Sequence, residues 1–287
     1  MGDCFFVSDL HGRVERYRKL SERVREERPA AVLLGGDLLP HLSRAWEALA
    51  HEKDDFVEGF LVPEFRALKD VLGSAYPDVF LILGNDDPRI LETRLASEEN
   101  RGLWNYMHNR RQSWRGFAVY GYACVPPTPF RLKDWERYDV SRFVDPGCIP
   151  PEKGFCTVPM PERERRLGTI RKDLDRLVSD EPLDRAIFLF HTPPYGTALD
   201  RAALDDMRVD HAPLDVHVGS IAVKRFIESR QPLLTLHGHI HESARLTGVW
   251  REQIGRTHAF SGAHDGPELA LVVFSPDDPA GAVRRLI

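Results

Sequence analysis

Cysteine is scarce in this chain, which has four in 287 residues. None belongs to a Cys-x-x-Cys pair, and a chain of this length with 42% hydrophobic residues does not need a disulfide framework to build a core. Free thiols are typical of a reducing compartment, and the start, from Met1 to Val7, has neither the basic segment nor the cleavage site of a secretion signal. We therefore expect a cytoplasmic protein whose first apolar residues form a core strand.

Long apolar runs are also missing, since none reaches the roughly 20 residues of a transmembrane helix, and we expect no membrane partner. The formal net charge of -5 argues against a broad nucleic-acid surface, although it leaves a local basic groove open. The arginine-rich pieces at 110–111 and 163–166 are predicted to be solvated helix faces. Motifs of other enzyme classes are absent as well, namely Gly-x-Ser-x-Gly, the phosphate-binding loop, Gly-x-Gly-x-x-Gly and His-Glu-x-x-His.

Metal-capable side chains are present at the ends of five short apolar runs that are typical of strands. In chain order they lie in Ser8-Asp9-Leu10-His11-Gly12, Gly35-Gly36-Asp37, Gly84-Asn85-Asp86-Asp87, Phe190-His191-Thr192-Pro193 and Gly238-His239-Ile240-His241. Imidazole is the commonest protein ligand for transition metals. Because open α/β sheets place their sites at the carboxyl ends of their strands, we expect these side chains to meet at one edge.

The rest of the pattern predicts an α/β protein. Strands are predicted at 4–8, 31–34, 79–83, 117–122, 186–190, 233–236, 258–261, 269–274 and 283–287, and helices at 14–27, about 55–72, 162–178 and 220–228. Two stretches lack periodicity, at about 123–161 and 196–216. The first is rich in proline and carries Trp135, Tyr138 and Phe143, so it is either a wall or lid over the site or a solvated surface loop.

The ordered set of five blocks resembles the calcineurin-like metallophosphoesterases. That family's pattern is Asp-x-His, Gly-Asp, Gly-Asn-His-Asp/Glu, a lone His and Gly-His-x-His, and one position departs here, where Asp86 replaces the usual His. The resemblance implies two facing mixed β-sheets, a β-sandwich, flanked by helices. It favours one domain over 1–287, with the two irregular stretches as insertions, and a small-molecule phosphate ester as substrate.

The resemblance also implies a centre of two divalent metal ions. Asp9, His11 and His241 would hold one ion, Asn85, His191 and His239 the other, and Asp37 would bridge them. Mixed imidazole and carboxylate ligands suit Mn, which we expect first, and also Fe, Zn, Ni or Co. A hydroxide between two such ions would attack the phosphorus without a covalent enzyme intermediate. Asp9 and Asp37 as plain helix N-caps, and Asn85 as a turn residue, are the structural alternatives.

Asp86 joins Asp37 and Asn85 as an expected catalytic residue, although it departs from the family. The family's His at this place is thought to stabilise the transition state or to protonate the leaving group. An ionised Asp86 would do neither and would repel a phosphate dianion, which favours phosphodiesters as substrates. Alternatively, Asp87 or burial keeps Asp86 protonated.

Two further histidines, His41 and His217, are expected to contact substrate, with surface positions as the alternative for both. His237 is expected to be structural. Gly219 and Ser220, at a predicted helix start, would either offer backbone amides to an anion or serve as a plain helix cap. Two other functions stay open: a nuclease acting on nucleic-acid phosphodiesters, and a non-enzymatic metal-binding scaffold of the same fold. The oligomeric state cannot be read from the sequence.

Overall fold

The strands of the computed structural model form two six-stranded mixed sheets. The structure describes residues 2–41, 56–178 and 180–287. The strands are β1 (Cys4–Val7), β2 (Ala31–Gly35), β3 (Asp78–Ile82), β4 (Asn105–Tyr106), β5 (Arg110–Trp114), β6 (Phe117–Tyr122), β7 (Ala186–Phe190), β8 (Arg208–Val209), β9 (Ala212–Pro213), β10 (Leu234–His237), β11 (Arg251–Ile254), β12 (Thr257–Ser261), β13 (Ala270–Ser275) and β14 (Asp278–Leu286).

The first sheet has the order β14-β13-β1-β2-β3-β4, and β1 to β4 run parallel within it. The second has the order β11-β12-β10-β7-β6-β5, with β6, β7, β10 and β12 parallel and the two edge strands antiparallel. Strands β2 and β3 contact β7 across the interface between the sheets. The α/β fold of two facing mixed sheets is thereby confirmed.

Seven helices accompany the sheets in the described part of the chain. They are α1 (Val14–Glu27), α2 (Val62–Leu72), α3 (Glu92–Ser97), α4 (Glu162–Leu167), α5 (Ile170–Leu177), α6 (Ile221–Arg230) and α7 (Ser243–Thr247), and a π-helical turn, Val57–Leu61, leads into α2. Helix α1 has its predicted bounds because Tyr17, Leu20 and Val24 share one buried face, and Arg28 ends it in a left-handed conformation. The predicted helix start at residue 55 lies outside the described residues.

Two predictions about helices were wrong. The stretch 162–178 is not one helix, because Gly168 is extended and the Thr169 side chain caps a new helix by accepting the Lys172 amide at 3.2 Å. Arg110 and Arg111 lie on the edge strand β5 and not on a helix, because the exposed Arg111 and Ser113 alternate with the partly buried Gln112 and the buried Trp114 in a period of two.

The first irregular stretch, 123–161, is held firmly against the sheets. It contains a single 3-10 turn, Pro151–Lys153, yet Trp135 and Tyr138 are 0% and 2% exposed, while Phe143 is 69% exposed. The ion pair of Lys133 and Glu136 is buried within it. This stretch therefore forms a packed wall with some solvated positions, among them Phe143.

No helix in residues 2–41, 56–178 and 180–287 combines the length and the apolar composition of a membrane span.

Candidate metal centre

The five sequence blocks converge because each follows a parallel strand. Strands β1, β2 and β3 of one sheet and β7 and β10 of the other end at the same edge, and the loops after them carry the metal-capable side chains. Three groups of possible donor atoms form there, and the donor atoms within each lie within 4.8 Å of one another. Two of them share Asp37 and are called the donor clusters: Asp9, His11, Asp37 and His241 form the first, and Asp37, His191 and His239 the second. The third group consists of His11, His41 and Asp86.

The first cluster brings two imidazoles onto one carboxylate. The Nε2 atoms of His11 and His241 are 3.0 Å apart, and His241 Nε2 lies 3.2 Å from Asp9 Oδ1. Asp37 Oδ2 lies 3.9 Å from His11 Nε2. The three residues that the sequence assigns to one ion are therefore together.

The second cluster meets the first at Asp37, whose Oδ2 lies 3.3 Å from His191 Nε2. Asn85 belongs here as well, since its Oδ1 lies 3.1 Å from the same His191 nitrogen and its side chain is 5% exposed. His191 and His239 have ring centroids 5.2 Å apart. Asp37 is thus the residue common to both clusters, in the position that a bridging ligand requires.

The surroundings of His191 fit a cation. His191 Nδ1 lies 2.8 Å from the Gly35 carbonyl, which can only accept, so Nδ1 carries the proton. A neutral His191 then points its Nε2 lone pair at two further acceptors, Asn85 Oδ1 and Asp37 Oδ2. Asn85 cannot turn its amide toward His191 without losing the bond from its Nδ2 to Asp86 Oδ1 at 3.3 Å. These three atoms can all accept but none of them donates to the others. A divalent ion binds several acceptor atoms at once, so the residues present fit a metal.

Burial and charge set the ionisation of the cluster. Burial opposes the charge of Asp37, but His191 outweighs it and holds the Asp37 pKa well below its usual range. The Asp9 pKa falls to about 2, because bonding to His241 outweighs burial. Burial lowers the pKa of His11 to about 4 and that of His239 to about 3. Against the effect of burial, Asp37 raises the His191 pKa to about 10 and the hydrogen bond to Asp9 raises the His241 pKa to about 8. The carboxylates are therefore ionised and His11 and His239 are neutral, the forms that bind metals, whereas His191 and His241 would release a proton when a metal binds.

Four of the candidate ligands have left-handed backbone conformations, a feature that sequence reasoning missed. The φ angles are 58° at Asp9, 47° at His11, 52° at Asp37 and 75° at His239. Such conformations cost roughly 1–3 kcal/mol each for residues other than glycine and persist where surrounding contacts enforce them. Here the amides of Asp9 and His11 donate to the carbonyls of Gly36 and Asp37 at 3.0 and 2.8 Å. These hydrogen bonds hold the loops after β1 and β2 together without a ligand.

Arg16 is a second residue that the motifs do not reveal. Its guanidinium is buried and donates to the Asp9 carbonyl at 2.6 Å and to the Gly266 carbonyl at 2.5 Å. It ties the first loop to the loop after β12. The signal in the sequence was weak, because a charged residue on a helix is usually solvated.

Two glycines in the motifs are needed for close approach. A Cβ on Gly36, which has a φ of +94°, would lie 2.6 Å from His191 Nδ1. A Cβ on Gly84 would lie 2.6 Å from His191 Nε2. Any side chain at either position would displace the imidazole, so these glycines make room for the ligand.

The carboxylate of Asp87 is engaged by backbone amides and not by Asp86. The Asp87 carboxylate is fully buried and accepts the amides of Leu38, Leu39 and Gly84 at 3.1, 2.7 and 2.9 Å. Asp87 therefore joins the loops after β2 and β3, and the expectation that it holds the Asp86 proton was wrong. Burial and the charge of Asp37 raise the Asp86 pKa to about 6.

Asp86 pairs instead with His41. The distance from His41 Nδ1 to Asp86 Oδ2 is 3.1 Å, and the His41 side chain is 62% exposed. His41 also stacks on His11 with ring centroids 4.8 Å apart. The imidazole that the motif lacks at position 86 is thus present beside it, on a loop from another strand.

The packed wall contacts the loop after β3 through Trp135, whose Nε1 donates to the Asp87 carbonyl at 2.8 Å. Arg89 lies over the Trp135 ring, 4.9 Å from its centroid. The stretch 123–161 therefore buttresses the loop that carries Asn85 and Asp86.

The start of α6 is closed to anions. Asp139 of the packed wall accepts the Ser220 hydroxyl at 2.6 Å and the amides of Ile221 and Ala222 at 2.7 and 3.1 Å. The two amides that the sequence analysis offers to an anion are paired as well, since the Gly219 amide donates to Asp200 at 3.0 Å and the Ser220 amide to the Pro193 carbonyl at 2.9 Å, so that alternative was wrong. Ser220 caps the helix by accepting the Val223 amide.

The two remaining histidines have clear settings. His237 is fully buried, with Nδ1 2.9 Å from the Thr192 carbonyl and Nε2 2.8 Å from the Thr235 hydroxyl, so both nitrogens are engaged outside the clusters. His217 is 34% exposed and bonds through Nδ1 to Asp200 Oδ1 at 2.7 Å. His217 does not join either donor cluster.

Comparisons with known proteins agree with this fold. Solved structures with the same fold include the protein TT1561 of Thermus thermophilus, at 19% identity and a TM-score of 0.57 over 99% of this chain and 98% of that one. A dimetal phosphatase from Danio rerio is similar at 14% identity and a TM-score of 0.53, over 95% of this chain and 91% of that one. No curated protein sequence matches the chain.

The family model described as calcineurin-like phosphoesterase matches residues 4–243. The match begins in β1, includes all five sequence blocks and ends just after His241. This chain is therefore a member of the calcineurin-like phosphoesterases, a family of dinuclear metal phosphoester hydrolases.

Proposed function

We propose that this protein is a dinuclear metal-dependent phosphoesterase that hydrolyses phosphodiesters in preference to monoesters. The observation that carries the preference is the carboxylate of Asp86, which is paired with His41 and lies beside both donor clusters. With a pKa of about 6, Asp86 is ionised at pH 8. It then repels the second negative charge of a monoester dianion more than the single charge of a diester.

The residues of the chain would divide the work as follows. Asp9, His11 and His241 would hold one ion, Asn85, His191 and His239 the other, and Asp37 both. Two ions, Mn by preference, would supply Lewis acidity and a nucleophilic water at neutral pH. Asp37 and Asn85 would orient the reacting groups, and Asp86 would select the charge state of the substrate. His41, exposed at the rim, would contact the substrate.

A small-molecule ester is the favoured substrate. The net charge is -5, and Arg110 and Arg111 are paired with Glu99 and Glu181 at 2.8 and 2.9 Å, so these arginines are not free for a nucleic-acid backbone.

All four cysteines are free thiols, which supports a cytoplasmic location. Because both sheets supply ligands to one centre, we propose that residues 1–287 work as one domain.

The test is hydrolysis of a chromogenic diester, bis(4-nitrophenyl) phosphate, beside the monoester 4-nitrophenyl phosphate. Metal-stripped protein is compared at pH 8 with protein reloaded with Mn²⁺. We expect turnover only after reloading, with a higher kcat/KM on the diester, and a shift toward the monoester in Asp86→His. A wild-type preference for the monoester would overturn the diester proposal, and no turnover with two ions bound would overturn phosphoesterase activity on these esters.

A further inference from the structure

Asp200 is a buried carboxylate within the second irregular stretch, 196–216. It is 0% exposed, and its two oxygens accept four hydrogen bonds. The amides of Thr197, Gly196 and Gly219 donate to it at 3.0, 2.9 and 3.0 Å, and His217 Nδ1 donates at 2.7 Å. An ionised carboxylate has about four acceptor positions, so Asp200 is saturated and binds nothing further.

The His217 ring is therefore held in one orientation. Because Asp200 Oδ1 only accepts, Nδ1 must carry a proton, and Nε2 is the nitrogen left for another partner. Asp215 holds the backbone at His217 and also holds Tyr195, since it accepts the His217 backbone amide at 2.9 Å and the Tyr195 hydroxyl at 2.6 Å. The Tyr195 ring packs edge-on against His217, with centroids 6.0 Å apart.

The backbone places His217 between two metal-ligand loops. A parallel bridge joins Pro194 to Ser220, so the segment leading to Ser220 runs beside the segment that follows His191. An antiparallel bridge joins His217 to Arg201, and the nearby Ala203 amide donates at 2.9 Å to Glu242, which directly follows His241. The anchors on both sides of His217 thus lead to candidate ligands.

We propose that His217 is a catalytic residue that protonates the leaving group from Nε2, and that Asp200 is its positioning residue. The inference rests on the proposed phosphoesterase function and goes beyond substrate contact. Position 86 holds a carboxylate where the family pattern has a histidine, so a histidine on another loop would have to donate the proton, and His41 and His217 are the two that the sequence analysis expects at the substrate. A buried carboxylate that fixes Nδ1 and leaves Nε2 available is the arrangement of histidines that transfer protons.

The proposed step balances as follows. The oxygen of the attacking water bonds to phosphorus while a proton of that water passes to solvent, and the bond from phosphorus to the leaving oxygen breaks with its electron pair on that oxygen. The leaving oxygen takes the Nε2 proton and departs as an alcohol. His217 is left neutral and regains its proton from solvent, while Asp200 stays ionised throughout.

The decisive variant is His217→Asn, because the Asn amide nitrogen can occupy the place of Nδ1 and keep the bond to Asp200 while Nε2 is removed. Activity is measured on methyl aryl phosphates whose leaving groups run from the acidic 4-nitrophenol to the less acidic phenol. We expect kcat/KM to fall about 100-fold for the phenyl ester and only a few-fold for the 4-nitrophenyl ester, since a poor leaving group needs the proton most. Bound metal and Tm should stay at wild-type values.

Matched variants complete the test. His211→Asn changes an exposed histidine of the same stretch and should leave the leaving-group dependence unchanged. Asp200→Asn should steepen the dependence as His217→Asn does, and its ring ¹⁵N NMR spectrum should lose the hydrogen-bonded Nδ1–H signal. If Asp200→Asn does not fold, His217→Asn alone decides.

The outcomes separate the two proposals. Wild-type turnover with the same leaving-group dependence in His217→Asn overturns the role of His217 and leaves the phosphoesterase standing. A steeper leaving-group dependence in His41→Asn but not in His217→Asn would assign the proton donation to His41 and would also overturn the role of His217. Absence of wild-type turnover on every ester, with two Mn²⁺ bound, overturns both.

Discussion

The metal-ligand edge and the packed wall, 123–161, satisfy their buried polar groups in different ways. At the edge, side chains from five distant loops meet, and several acceptors face one another. In the packed wall, buried Lys133 and Glu136 pair at 2.5 Å, and Thr128 donates its amide to the same glutamate at 2.9 Å, all within a short piece of chain. The wall therefore pairs this buried lysine and glutamate within itself, whereas the edge brings together acceptors that a cation would bind.

The largest effect that separates the two regions is expected for Asp37→Ala. Loss of the shared carboxylate removes a ligand from both donor clusters, so hydrolysis should fall to background and at most one Mn²⁺ should stay bound. Steady-state kinetics and metal analysis measure this. Asp70→Ala, which changes an exposed carboxylate on α2, is the control. Undiminished activity in Asp37→Ala would show that catalysis does not depend on the shared ligand.

Trp135→Ala is expected to cost the most stability, about 3–5 kcal/mol of unfolding free energy. The indole is fully buried and donates to the Asp87 carbonyl, so its loss opens a cavity beneath the loop of Asn85. Phe143→Ala, at a 69% exposed position of the same wall, should change stability by less than about 0.5 kcal/mol. Equal losses of unfolding free energy in the two variants, measured by urea denaturation, would contradict the conclusion that Trp135 anchors the wall.

Much of the edge could be predicted from the sequence, because five short blocks after apolar runs carry its chemistry. The wall could not, since its core is built from Trp135, Tyr138 and an ion pair and not from apolar runs with a period. Likewise, the left-handed φ angles of Asp9 and His239 arise from contacts between loops. The break at Gly168 was missed because the charged residues on either side favour helix.

Gly84→Ala sharpens the comparison at the edge. The added Cβ would lie 2.6 Å from His191 Nε2, so the ring or the loop must move. We expect a loss of about 1–3 kcal/mol of stability and weaker Mn²⁺ binding. The control is Gly59→Ala, where a Cβ meets nothing within 4 Å and stability should stay equal or rise slightly. Calorimetric titration with Mn²⁺ checks both, and unchanged affinity in Gly84→Ala would contradict the close approach.

A pH dependence is expected at the junction of sheet and wall. His108 is buried against Trp135 and accepts the Ala123 amide at Nδ1, and burial lowers its pKa to about 3. The unfolded chain binds a proton near pH 6.5 and the folded one does not, so stability falls as pH drops below about 6.5 toward 3. The slope from this group is about 1.4 kcal/mol per pH unit. His108→Asn, which keeps an acceptor near Nδ1, should remove that share of the slope in urea denaturation between pH 4 and 6. An unchanged slope would contradict a neutral, buried His108.

The central claim is that the edge is a two-ion centre joined by Asp37. The direct measurement is the number of Mn²⁺ ions bound per chain, determined on metal-stripped protein by calorimetric titration and checked by elemental analysis. The account predicts two ions in the wild-type chain and one in His191→Ala, because that variant disrupts only the cluster with His239. One ion or none in the wild-type chain, or two in His191→Ala, would contradict it.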